Sequence, residues 1–158
     1  EGTFTIFEQN ITNLDPILDQ EQTLSFFYKT DNGQNNILMV VSILGGTVPV
    51  DPPILKHALL TTPNSLNWKK LSHTFTMPST ENLLNMGYSS IESNDWYLVL
   101  SLYTYFSPNI PSAIPSADLT TLNANYSPNS TFDITEIQLE QNNTPTRFVP
   151  NHGKYLFI

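Results

Sequence analysis

The sequence predicts an all-β fold, a β-sandwich or jelly roll of about eight or nine antiparallel strands, and three observations predict it. Helix-building residues are scarce, while Thr, Ser, Asn, Phe, Tyr and Ile abound. Twelve prolines are spread along the 158 residues and cut the chain into short segments. Between them apolar and polar residues alternate with a period of two, as half-buried strands require, because successive side chains point to opposite faces.

The elements follow in order. In Thr23 to Thr30, Leu24, Phe26 and Tyr28 share the inward face, and Ser25, Lys29 and Thr30 are expected near solvent. Asp31-Asn32-Gly33 then supplies a turn. Ile37 to Leu44 is apolar on both faces, so it is either covered on both sides or meets a partner subunit. Gly45 to Pro53 is a loop, and Ile54 to Leu60 a further short strand. Leu71, His73, Phe75 and Met77 share one face of a strand that Pro78 stops, and His73 reads as a hydrogen-bonded core residue rather than a ligand. The strongest strand is Trp96 to Phe106. Trp96, Leu98, Leu100 and Leu102 fall on one face, and Tyr97, Val99, Ser101, Tyr103 and Tyr105 on the other. A proline-rich loop, Pro108 to Pro115, and a polar stretch to Asn129 follow.

The closing string, FDITEIQLEQNNTPTRFVP, breaks step. Phe132 and Ile134 set one face, yet the next apolar residues are Ile137 and Leu139, shifted by one. A β-bulge at Thr135-Glu136 would restore the inward phase. Alternatively Ile134 belongs to a turn and the strand starts at Glu136. Pairing is expected to end at Asn142-Asn143, where Thr144-Pro145 re-directs the chain. Residues 1–150 read as one domain and 151–158 as a tail.

Composition excludes several functions. Charged residues make up 13% of the chain and the net charge is −8. With six Lys or Arg to neutralise phosphates, nucleic acid is not an expected partner. Without cysteine there is no disulfide framework and no thiolate metal site. No apolar run reaches the length of a membrane span, so no membrane insertion is expected. The chain opens at Glu1 with neither an initiator Met nor a signal-peptide pattern, which reads as a piece of something longer. His57, His73 and His152 follow no metal-ligand spacing. There is no phosphate loop, nucleophile elbow or Cys-His pair, and no catalytic residue or enzyme activity is assigned. Sequons at Asn10, Asn125, Asn129 and Asn142 are no more than the abundance of Asn, Ser and Thr produces by chance.

Aromatic residues are the candidate binding groups, because pyranose C–H faces stack on flat rings while flanking polar side chains bond the hydroxyls. Tyr97, Tyr103 and Tyr105 form a row on the face opposite the leucines, with Tyr88 and Tyr126 in predicted loops. Such a row suits a glycan or a subunit contact equally, with simple exposure as a third reading.

Ile134, Thr135, Ile137, Gln138, Leu139 and Glu140, followed by Thr144, Pro145, Thr146 and Phe148, resemble the C-terminal signature of jelly-roll domains in bacteriophage tail fibres and related viral fibres. Gln22 to Lys29 is similar to an early strand of that family, and Asn67 to Leu71 with Thr74 to Pro78 to its central Trp-containing segment. Gln9-Asn10-Ile11 is similar to its first strand; Arg147 departs from its bare Thr-Pro-Phe turn. The resemblance implies a jelly roll that assembles as a homotrimer on a virion or outside the cell and attaches to host-surface carbohydrate. It implies a core position for Trp68, and Trp96 reads as core from its place on the leucine face. Related carbohydrate-binding jelly rolls carry a structural calcium, but the Asp-Asp pair expected in the closing strand is replaced by Thr135-Glu136, leaving Asp133, Glu136 and Glu8 as the available oxygen donors. No cofactor is assigned. A purely structural fibre module, or a carbohydrate-binding module of a polysaccharide-degrading enzyme, are the alternatives.

Overall fold

The computed structural model describes residues 4–14, 16–31, 36–45, 54–88, 96–106, 114–129 and 131–141. Seven strands and two short helices fall among them: β1 (Phe4–Thr12), β2 (Glu21–Thr30), β3 (Asn36–Leu44), β4 (Ile54–Thr61), β5 (Ser65–Thr76), α1 (Thr80–Asn85), β6 (Tyr97–Tyr105), α2 (Ser116–Ala124) and β7 (Phe132–Glu140). The eight or nine strands expected were counted over the whole chain. The turn expected at Thr144-Pro145 and the tail 151–158 lie outside the described residues.

The strands form two antiparallel sheets, one of four strands in the order β1-β6-β3-β4 and one of three in the order β5-β2-β7. The chain is an all-β sandwich. Alternation dictates its core. Leu24, Phe26 and Tyr28 from β2, Ile37, Met39, Val41 and Ile43 from β3, and Leu98, Leu100 and Leu102 from β6 are all buried in one cluster between the sheets. Met77 and Phe75 join it, and His73 shares their inward face, pairing with Leu24 and lying 6.3 Å from the Phe75 ring. Desolvation lowers the His73 pKa from its ordinary value, as expected of an imidazole half-withdrawn from water.

The two-sided apolar strand has an internal explanation. Leu38 and Val40, on the outward face of β3, are buried against Leu119 and Leu122 of α2 and against Ile114. The cover belongs to the same chain, so no partner subunit is required to bury Leu38 and Val40. Asn123 holds the helix in place: its amide donates to the Phe106 carbonyl and accepts from the Phe106 N–H, both at 3.0 Å.

The broken step in the closing strand is a bulge. Ser25 of β2 opposes Gln138 and Phe27 opposes Thr135, so β7 carries one residue more than its partner between these pairs. Glu136 takes up the extra length in the left-handed region, at φ 52°. Ile134 and Ile137, one on each side of the bulge, both pack against the core.

Three placements differ from expectation. Ser25 and Thr30 are buried, at 3% and 2% exposure. Ser25 lies on the central strand of its sheet, flanked by Ser72 and Gln138, and Thr30 shares the inward parity of Tyr28. Trp68 is not core: its side chain is 47% exposed. It stands on the edge strand β5, and the ammonium of Lys29 lies 4.9 Å from its ring centroid. Trp96 is buried as expected and meets Tyr88 edge to face at 5.8 Å.

Candidate functional site

The outward face of the four-stranded sheet divides into two halves. α2 covers one, over Leu38 and Val40. The other forms a depression of about 450 Å³ whose lining includes Glu8, Asn10, Ser42, Tyr97, Ser101 and Tyr103. Strand register explains its floor. Glu8, Ser101 and Val40 make one rung across β1, β6 and β3; Asn10, Val99 and Ser42 make the next; Thr12, Tyr97 and Leu44 make a third. The rungs mix apolar side chains with hydrogen-bonding ones, the composition expected of a surface that takes a ligand with an apolar face and a polar rim.

Tyr97 and Tyr103 bracket this groove. They lie six residues apart on one strand, roughly 20 Å at the usual strand rise. Tyr103 meets Phe106 edge to face at 4.8 Å and packs against the α2 cluster, which fixes it as the wall between the covered and open halves. The Ser101 hydroxyl donates to Glu8 Oε2 at 3.4 Å, orienting the only carboxylate among the described lining residues.

The remaining tyrosines go elsewhere. Tyr105 and Tyr126 pack together, ring centroids 5.1 Å apart. Tyr88 is a correction: it is buried in the core at 1% exposure, and burial pushes its pKa up to about 12. It can contact neither a glycan nor a second subunit. The cause is local. Ser79 caps α1 by accepting from the Asn82 N–H at 3.1 Å, and Gly87 at φ 98° closes the helix. The Gly87 and Tyr88 N–H groups then bond back to Leu84 and Leu83 carbonyls, so Tyr88 is turned inward beside Leu83. The Ser at the start and Gly at the end of this short segment were the legible signal.

The candidate calcium donors are not gathered. Glu8 lies on the outward face of the four-stranded sheet, whereas Asp133 pairs with Lys29 at 3.8 Å on the three-stranded one. Among the described residues no group of three or more His, Asp or Glu is placed to hold a metal ion. His57 lies on β4 opposite Val40, and His152 is outside the described residues.

Comparison with known protein families, with curated proteins and with solved structures found no significant match to this chain.

Proposed function

We propose that this chain is a non-catalytic attachment module of a viral fibre that binds cell-surface glycan in the groove of the four-stranded sheet. One observation carries the reading. Two aromatic rings, Tyr97 and Tyr103, stand at the ends of an open face whose floor supplies Asn10, Ser42, Ser101 and Glu8 between them. Stacked rings with amide, hydroxyl and carboxylate partners match the alternating C–H faces and hydroxyls of an extended oligosaccharide. Glu8 gives the groove negative charge and no cation among the described lining residues answers it, which favours neutral over acidic sugars. The assignment to a viral fibre, and with it the virion or extracellular location and the homotrimer, rests on the resemblance of the closing string and its upstream companions. Three weak sites in a trimer would add their affinities by avidity.

The test is a glycan array with the intact chain, repeated with Tyr97→Ala and Tyr103→Ala. Binding to neutral oligosaccharides that each substitution weakens about tenfold is the expected result. Thermal unfolding is unchanged in Tyr97→Ala, and the circular dichroism of the fold is kept in Tyr103→Ala, which also loses its contact with Phe106 and the α2 cluster. Absence of binding to any glycan at high protein concentration overturns it. Tyr97, Val99 and Leu44, partly exposed in the groove lining, also favour a second reading, a subunit contact. Under that reading Tyr97→Ala lowers the mass seen by light scattering and no glycan binds.

A further inference from the structure

A second aromatic site lies on the opposite sheet. Trp68 is half-exposed on the outward face of β5, and Leu66, two residues earlier on the same strand, is 82% exposed. Two large apolar side chains thus stand exposed on an edge strand that is otherwise polar there, with Asn67, Lys69 and Lys70 beside them. The strand is also irregular there. Between the Tyr28–Lys69 and Thr30–Ser65 pairs, β2 advances two residues while β5 advances four. Such an irregularity re-aims side chains, and here it accompanies an indole turned outward.

The Lys29 ammonium lies 4.9 Å from the indole centroid and 3.8 Å from Asp133 Oδ2. Beside this pair is a depression of about 200 Å³ lined by Lys29, Asp31, Asp133, Thr131, Ser65 and Leu66. Asp31 shapes its far side: Oδ1 accepts from the Thr131 N–H at 2.7 Å, and the Asp31 N–H donates to the Thr131 carbonyl at 3.3 Å.

We propose that Trp68 and this depression form a second binding site, for an uncharged pyranose ring. The ring's C–H face takes the exposed indole and Leu66. Its hydroxyls meet a rim that alternates donors and acceptors: the Lys29 ammonium, the Asp31 and Asp133 carboxylates, and the Ser65 and Thr131 hydroxyls. Two carboxylates against one ammonium leave the rim net negative, which disfavours an anionic sugar. The site stands apart from the tyrosine groove and does not depend on it.

The two tryptophans allow a direct test. Trp96 is buried and Trp68 exposed, so a ligand on the platform changes only the solvent-exposed part of the emission. The intact chain is titrated with methyl β-galactopyranoside, methyl β-glucopyranoside and methyl α-mannopyranoside, with acyclic sorbitol as control. A saturable change with at least one glycoside and none with sorbitol is expected. By calorimetry, Trp68→Ala then weakens that glycoside about tenfold, with the circular dichroism of the fold kept. Tyr97→Ala leaves the Trp68 response in place, which separates this site from the groove. No saturable response to any glycoside, or an equal response to sorbitol, overturns the site. A signal that follows protein rather than sugar concentration also overturns it and assigns Leu66 and Trp68 to self-association.

Discussion

The hydroxyl of Tyr88 donates a 3.0 Å hydrogen bond to the backbone carbonyl of Ile43, tying the segment after α1 to the second-to-last residue of β3 inside the core. Tyr88→Phe removes the donor and leaves the ring, so it costs about 1 kcal/mol of stability in urea unfolding. The same variant changes the alkaline limb. Because burial raises the folded pKa of Tyr88 to about 12 from an ordinary 10.0, its neutral form stabilises the fold fully below pH 10, and that contribution is lost as pH rises through 12. Burial raises Tyr28 as well, in the same direction. Tyr88→Phe therefore unfolds less steeply between pH 10 and 12 than the parent while keeping the share due to Tyr28. An identical pH profile for the two proteins would sink the assignment.

Glu136 occupies the left-handed region at φ 52°, where a Cβ crowds the following carbonyl. Glu136→Gly relieves that contact and raises stability by up to about 1 kcal/mol. Glu136→Val adds a branched Cβ at the same angle and lowers it by about 1 kcal/mol or more. Chemical denaturation of both variants checks the sign. Equal losses in the two would mean that the Glu136 carboxylate, not its backbone angle, matters.

Gln22 is fully buried on the inward face of β2, opposite Phe75, and neither its amide nitrogen nor its amide oxygen has a hydrogen-bond partner among the described residues. An unsatisfied buried amide costs more than it contributes. Gln22→Met keeps the approximate volume and removes the polar atoms, and it raises stability by about 1–2 kcal/mol. A loss of stability in thermal and urea unfolding would show that the amide is used.

How much of this was legible depended on whether a residue belonged to a repeating pattern. The bulge in β7 could be read because Ile134 and Ile137 are both apolar and fall out of phase. Trp96 could be placed because it leads three leucines, Leu98, Leu100 and Leu102, in strict alternation. Trp68 could not, since period two says which residues share a face but not whether the strand is central or at an edge. α2 was hidden within a polar stretch. Its Thr120 and Thr121 hydroxyls bond back to Ser116 and Ala117, and its apolar residues are few. The cover it gives Leu38 and Val40 was therefore invisible, and a two-sided strand looked as though it needed a neighbour. The groove itself depends on the register of β1 against β6 and of β6 against β3, which bring together residues far apart in the sequence.

The interleaved strand order also sets when the fold can form. Among the described strands β1 pairs only with β6, and β6 must enter between β1 and β3, while β2 sits between β5 and β7. A ribosome that has released the first five strands has made the β3–β4 and β2–β5 pairs available, but β1 still awaits its partner and one edge of β2 awaits β7. Such non-local pairing folds slowly and leaves unpaired strands open to misassociation during synthesis. The tyrosine groove, whose floor is β6 with a neighbour on each side, exists only once that late insertion is complete. Pulse-labelled nascent chains should therefore acquire protease resistance only after β7 emerges, in a single step.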